Sequence, residues 1–280
     1  MPLVTTAELL RAAVANGSGV AAFNVVTLEH GEGIVAGAQH AAAPVILQVS
    51  ENTVAFHGSL RPISAALAAL AADAAVPVGL HLDHVEAPHL WEQAAAAGYS
   101  SVMVDGGALP YDRNVAVTAE ATSLLHGRGL AVEAELGYVG GKDTQVSNAH
   151  APGVRTDPRQ AAEFVGATGV DALAVAVGSS HAMTTRTAEL DLDLIAALRD
   201  SLTVPLVLHG SSGVPDDALR AAVRAGIVKV NVGTALNVAY TGAVRAALAA
   251  DDAVDPRKAL RSARAAIGDA VAHLLDVVSR

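Results

Sequence analysis

A short run of Val, Leu, Ile and Ala that ends on a polar residue, followed by Ala/Leu-rich sequence of helical character, recurs eight times along this chain. The runs are "GVAAFNV" (19–25), "PVILQVS" (44–50), "PVGLHLD" (77–83), "SVMVD" (101–105), "LAVEAEL" (130–136), "DALAVAV" (171–177), "PLVLHG" (205–210) and "IVKVNVG" (227–233). Helical stretches lie between them, among them Glu86–Ala97, Pro158–Gly166, Leu190–Asp200 and Pro215–Ala225. Strands that alternate with helices build right-handed βαβ units on a parallel sheet. Eight such units in a chain of 280 residues predict an α/β fold, a (β/α)8 TIM barrel in a single domain spanning residues 1–280. Pro44, Pro77 and Pro205 open three of the strands, where a missing N–H costs no ladder bond. The segment after "DDAVDPRK" reads as an additional C-terminal helix, and Gly137–Thr156 as the longest irregular loop.

Composition agrees with a large aliphatic core: 52% of residues are hydrophobic, 16% charged and 3% aromatic. The net charge of −10, without any basic cluster, argues against nucleic acid as a partner, because such binding rests on neutralising phosphates. A chain without cysteine has no disulfide, thiolate metal site or Cys nucleophile, which fits the cytoplasm. The N-terminal sequence lacks the features of a signal peptide, and no apolar run is long enough to predict a membrane span.

In a barrel of this kind the C-terminal ends of the strands face the active site. The polar ends here are Asn24, Ser50, Asp83 with His84, Asp105, Glu133 and Glu135, Ser179 to His181, His209 to Ser212, and Asn231 with Thr234. Of eleven histidines, His84, His181 and His209 follow strands three, six and seven. Three imidazoles converging on one barrel mouth form a common environment for catalytic zinc. His81 sits two residues below Asp83 on the same face and reads as barrel filling or an orienting group.

Asp83, beside a metal-bound histidine, is the natural acid/base, since a carboxylate near a cation stays ionised and accepts a proton. The competing reading is an N-cap for the helix that follows. Glu133 and Glu135 share one strand face; Glu135 is placed to join the metal, and Glu133, one step deeper, to orient a ligand. The competing reading for both is a charge pair with a nearby Lys or Arg. "HGSSGVPD" and "NVGT" are small-residue loops leading into helices after strands seven and eight, where barrels often cradle phosphate. Lys229 is the sole lysine within a predicted strand and is the candidate for a Schiff-base route.

Taken in order, "LHLDH", "VEAELGYVGG", "AVAVGSSH", "VLHGSSGVPD" and "KVNVGT" resemble the class II, metal-dependent fructose-bisphosphate and tagatose-bisphosphate aldolase family, from "AAFNV" to "DPRKAL". The resemblance implies zinc-dependent retro-aldol cleavage of fructose or tagatose 1,6-bisphosphate into dihydroxyacetone phosphate and an aldehyde. It implies His84, His181 and His209 as zinc ligands, with Glu135 at or near the metal, and Asp83 as the group that moves the C4-hydroxyl proton. Gly210, Ser212, Asn231 and Thr234 match positions that hold the dihydroxyacetone phosphate end. Asn24, Ser50 and Asp105 match polar pocket positions, and Arg257 matches an arginine on the distal phosphate, often across a subunit boundary. It further implies a homodimer or homotetramer and, in some members, a monovalent cation (Na+ or K+) near the phosphate.

The chain makes three departures from the family pattern. Lys142 and Asp143 stand where "GG-x-E-D" is usual, so either Asp143, with a shorter reach, or another acid repositioned by the loop takes the place of the glutamate that the resemblance implies for the dihydroxyacetone phosphate carbon. Ala182 replaces a glycine after His181, and Val85 follows "DH". The alternatives are an aldolase for another phosphorylated keto-sugar or keto-acid of the inositol-catabolism type, a metal-dependent hydrolase, and a non-catalytic sugar-phosphate binder.

Overall fold

A computed structural model describes residues 2–137, 139, 155–250, 252 and 254–279. Eight parallel strands close into a barrel in sequence order: β1 (Val20–Asn24), β2 (Val45–Ser50), β3 (Val78–Val85), β4 (Ser101–Val104), β5 (Ala131–Leu136), β6 (Ala172–Val175), β7 (Leu206–Leu208) and β8 (Ile227–Val232). β8 pairs with β1 to close the ring. All eight lie inside the segments expected from the sequence except β3, which runs two residues further.

The helices, in chain order, are α1 (Thr6–Asn16), α2 (Leu28–His40), α3 (Glu51–His57), α4 (Arg61–Asp73), α5 (Pro88–Ala94), α6 (Tyr111–His126), α7 (Pro158–Thr168), α8 (Leu192–Ser201), α9 (Asp216–Ala225), α10 (Thr234–Ala250) and α11 (Arg257–Val278). α11 is the expected C-terminal helix; α1 and α3 are additions to the eight-fold pattern. α1 opens on a capping box, with Thr5 and Glu8 satisfying each other's backbone N–H groups. Its Leu9, Leu10 and Ala13 pack on the inward-facing Val20, Ala22, Ile46, Ala172, Ala174 and Val207, so this helix plugs the barrel floor.

The larger apolar cluster lies between strands and helices and includes Phe23, Leu47, Leu82, Phe164, Leu208 and Ile267. α11 lies along α2 in parallel, with Gly33 against Ile267 and Gly37 against Gly268 and Val271. A Cβ on Gly37 would come within 2.5 Å of the Gly268 carbonyl, so this close crossing requires glycine. Because α2 descends from the mouth, the start of α11, with Arg257, lies at the mouth end of the molecule.

Inside the barrel the aliphatic floor gives way to a polar layer. Gln48, His81, Glu133 and Lys229 point inward and are at most 3% exposed. Above them stand the residues of the mouth. No single helix among the described residues is long and apolar enough to cross a membrane.

Candidate active site at the barrel mouth

Strand alternation should send Asp83 and His84 to opposite faces. The structure brings both to the mouth by two local features of β3. Its register with β4 shifts between Leu82 and Val85, the mark of a bulge, and His84 adopts φ 49°, the left-handed region. A non-glycine residue held there costs about 1–2 kcal/mol, and such strain persists where the surroundings fix it. Asp105 supplies that fixing from the end of β4: its Oδ2 lies 2.7 Å from His84 Nδ1.

His181 and His209 arrive from β6 and β7. The three imidazoles meet, with ring centroids 4.8 Å apart for His84 and His209, 5.3 Å for His84 and His181, and 5.8 Å for His181 and His209. Glu135 joins them. One ligand atom from each of His84, Glu135, His181 and His209 lies within 4.8 Å of all the others. Three nitrogen donors and one carboxylate at this spacing suit zinc in composition and number.

His209 is fully buried between two carboxylates, its Nδ1 2.7 Å from Glu135 Oε2 and its Nε2 3.0 Å from Glu133 Oε1. Burial alone would lower its pKa, but the hydrogen bonds to Glu133 and Glu135 outweigh that and raise it to about 9 in the metal-free protein. Burial pushes the Glu135 carboxyl up, and the His209 contact more than reverses this. For Glu133, burial is overcome by Lys229, whose Nζ donates to Oε2 at 2.6 Å, and by His209, so its carboxyl is held well below the usual range. Glu133 therefore contacts a histidine and pairs with a lysine at once, so the charge pair of the competing reading is present beside the histidine contact.

Asp83 is 2% exposed and lines the mouth. Asn24 Nδ2 donates to its Oδ2 at 2.9 Å and Asn231 Nδ2 reaches Oδ1 at 3.4 Å. Burial raises its pKa, and its neighbours His84 and Lys229 more than offset this, so the net shift is downward. It is not an N-cap. α5 starts two residues later than expected, at Pro88, and Glu51 Oε2 accepts the N–H groups of Glu86 and Ala87 at that corner.

A cavity of about 700 Å³ opens above these groups. Asn24, Ser50, Asp83, His84, Asp105, His181, Gly210, Ser212, Asn231 and Thr234 line it, all of them expected from the sequence. Gly210 sits at φ 66°, and a Cβ there would come within 2.6 Å of the Ser180 backbone. Ser212 Oγ accepts the Ala235 N–H at 3.0 Å, tying the loop after β7 to the start of α10. That junction of small residues and a helix N-terminus can receive an anion. Ser50 also caps α3 through the Thr53 N–H.

Arg257 stands exposed at the start of α11. Its guanidinium forks onto Asp255, with Nη2 to Oδ2 at 2.7 Å, and does not line this chain's cavity. Asp255 sits two residues away and wins this exposed arginine locally. Lys229 is 0% exposed and engaged by Glu133, away from the cavity, so its amine is not placed to reach a substrate there. Asp143 and Lys142 lie outside the described residues.

Sequence reasoning missed Gln48, whose Nε2 donates to Asn24 Oδ1 at 2.9 Å; its place two residues before Ser50 in β2 was the available signal. It also missed Asn237, three residues after Thr234 on α10, and Phe56, 71% exposed at the rim; both line the cavity.

A closed β/α barrel whose mouth gathers three histidines and a glutamate beside a buried aspartate has the donor set of a candidate metal site with an acid/base group at its side. A family model of class-II fructose-bisphosphate aldolases matches residues 4–280, and the chain belongs to that family. Members are typically metal-dependent and act on phosphorylated sugars. Among solved structures, the YdjI aldolase of Escherichia coli K12 is 31% identical, with a TM-score of 0.84 over 99% of this chain and 97% of that one. A Coccidioides immitis protein, described as a candidate fructose-1,6-bisphosphate aldolase, is 28% identical, with a TM-score of 0.87 over 98% and 95%. The fructose-bisphosphate aldolase of Campylobacter jejuni shares the fold at 22% identity, with a TM-score of 0.83 over 99% and 95%.

Proposed function

We propose that this protein is a zinc-dependent aldolase, a single domain over residues 1–280, that cleaves a phosphorylated ketose between C3 and C4 into dihydroxyacetone phosphate and an aldehyde. The observation that carries the reading is the set of four donors, His84, Glu135, His181 and His209, gathered within 4.8 Å beside the buried carboxylate of Asp83. Zinc held by these four supplies a Lewis acid for the negative charge that develops at the substrate carbonyl.

The chain's own groups do the rest. Asn24 and Asn231 donate to Asp83, so its carboxylate is oriented and ionised, ready to accept the C4-hydroxyl proton. The backbone around Gly210, Ser212 and Thr234 receives the phosphate of the dihydroxyacetone half, with a monovalent cation, Na+ or K+, as a further countercharge. Asp143, which follows β5 in the sequence, is assigned the proton at the dihydroxyacetone phosphate carbon. Asp105 and Glu133 orient His84 and His209. Fructose and tagatose 1,6-bisphosphate are the substrates the family sets first.

A homodimer or homotetramer belongs to the same reading. α10 buries just Leu236 among its residues and leaves Val238 and Leu248 more than half exposed, an apolar face suited to a second copy. Arg257, at the mouth end of α11, is then assigned to the distal phosphate of a neighbouring subunit. A cytoplasmic location accords with the cysteine-free sequence.

The test is release of triose phosphate from fructose and tagatose 1,6-bisphosphate with and without a chelator. Product that disappears on chelation and returns with zinc supports the reading. Cleavage that persists in a demetallated sample, or metal-dependent phosphate release without triose, contradicts it.

A further inference from the structure

Below the four metal-facing groups lies a lysine that the reaction does not touch. Lys229 enters from β8, is fully buried, and crosses the barrel interior to Glu133 on β5. Ala172 and Ala174 on β6 and Ala22 on β1 keep that interior free of large side chains. Burying an ammonium and a carboxylate is expensive even when they pair, and an aliphatic pair would fill the space at lower cost. The contacts of Glu133 indicate what the pair does.

Glu133 presents two oxygens to two donors: Oε2 to Lys229 Nζ at 2.6 Å and Oε1 to His209 Nε2 at 3.0 Å. His81 is the other neighbour, 3.9 Å from Oε2, and it does not compete. Its ring is fixed from below by a chain of hydroxyls. Ser100 Oγ donates to the Leu80 carbonyl at 3.2 Å, so the proton in its 3.1 Å contact with Thr6 comes from Thr6 Oγ1. Ser101 Oγ in turn donates to Thr6 Oγ1 at 2.7 Å. Each hydroxyl has one proton, and Ser101 has spent its own, so in its 2.7 Å contact with His81 the donor is Nδ1. His81 Nε2 then carries a lone pair and takes nothing from Glu133.

On the proposed metal-site reading, on which this inference rests, His209 turns Nδ1 toward Glu135 and the metal and must offer a lone pair there. Its one ring proton then belongs on Nε2, facing Glu133 Oε1. We infer that Lys229 is a positioning residue for the metal site: by donating to one oxygen of Glu133 it commits the other to accept from His209, which fixes the tautomer that leaves Nδ1 free for the ion. Histidine ligands are commonly oriented by an acceptor on the far nitrogen. Here that acceptor has its own keeper, from the strand three places round the barrel.

The inference predicts an unusual pattern in paired variants. In Glu133→Gln, Lys229 draws the amide oxygen, and the amide NH2 faces His209 Nε2. That turns Nε2 into the acceptor and puts the ring proton on Nδ1, against the ion. Zinc affinity, measured on the purified protein by competition with a chromophoric chelator, should fall about 10–100-fold. Adding Lys229→Met releases the amide to rotate, with its oxygen toward Nε2, and the double variant should bind zinc within about fivefold of the parent. The Co2+ absorption spectrum should shift in the single variant and return in the double one.

A role in packing alone predicts the reverse, a double variant at least as weak as the single. That result, or a Glu133→Gln protein with unchanged affinity, overturns the inference. Failure of the parent protein to bind Zn2+ or Co2+ contradicts the metal reading itself and this one with it. Should the variants not fold, ¹⁵N-histidine spectra of the zinc-loaded parent decide: a proton on His209 Nε2 supports the inference, and zinc on Nε2 overturns it.

Discussion

Asn24 and Asp83, from the ends of β1 and β3 with β2 between them and 59 residues apart in sequence, are joined by a 2.9 Å hydrogen bond in which the amide donates to the carboxylate. Gln48 donates in turn to Asn24, so the amide cannot turn its oxygen toward Asp83 without losing that bond. This two-step chain holds Asp83 as an acceptor.

Replacing the carboxylate should therefore separate chemistry from metal binding. Asp83→Asn should retain zinc within a few-fold of the parent, because Asp83 is not among the four gathered donors. Its kcat for cleavage should fall about 10²–10⁴-fold, the usual scale for a lost general base. Steady-state kinetics with zinc quantified on the same sample checks both halves.

The metal-free protein should be most stable near pH 6.5, for two opposed reasons. His81 is buried as the neutral base, and burial with the Lys229 charge lowers its pKa to about 3. A lowered folded-state pKa means stability is complete above the unfolded value, about 6.5, and falls as pH drops toward 3. His209 is raised to about 9, so its contribution is complete below pH 6.5 and is lost as pH climbs through 9. Each limb has a slope near 1.4 kcal/mol per pH unit at most. Urea unfolding from pH 5 to 9.5 measures it, and zinc should suppress the alkaline limb by replacing the His209 proton.

Ala182 lies at φ 59°, in the left-handed region, at the position where the family pattern has glycine. Ala182→Gly should relieve about 1 kcal/mol of strain and raise the melting temperature by roughly 2 °C. A calorimetric scan of the two proteins shows it; an unchanged or lower midpoint would mean that the turn after His181 is not strained.

The barrel was legible because its strands obey a simple rule. Inward and outward residues alternate, each run ends in polar chemistry, and Pro44, Pro77 and Pro205 mark starts. Most mouth residues followed from that rule. It fails where geometry departs from period two: the bulge at Asp83–His84 brings two neighbours to one face, which alternation forbids. α3 escaped because its cap, Ser50, is also a mouth residue, and its Glu51 holds the corner that the competing reading of Asp83 as an N-cap would give to that residue. Gln48 and the Lys229–Glu133 pair were visible as residues, but their contacts join β1, β2, β5 and β8 across the interior, and no local pattern records such distances. Arg257 was assigned through resemblance, and its capture by Asp255 depends on a rotamer that sequence does not specify.

The account stands on one ion shared by His84, Glu135, His181 and His209. Anomalous diffraction collected on either side of the zinc absorption edge, from crystals of zinc-loaded protein, tests it directly. The expected result is a single strong anomalous peak per chain among those four side chains, with the triose-phosphate activity of the same preparation abolished by chelation. A peak elsewhere, or none at that position in protein that cleaves the ketose phosphate, would contradict it.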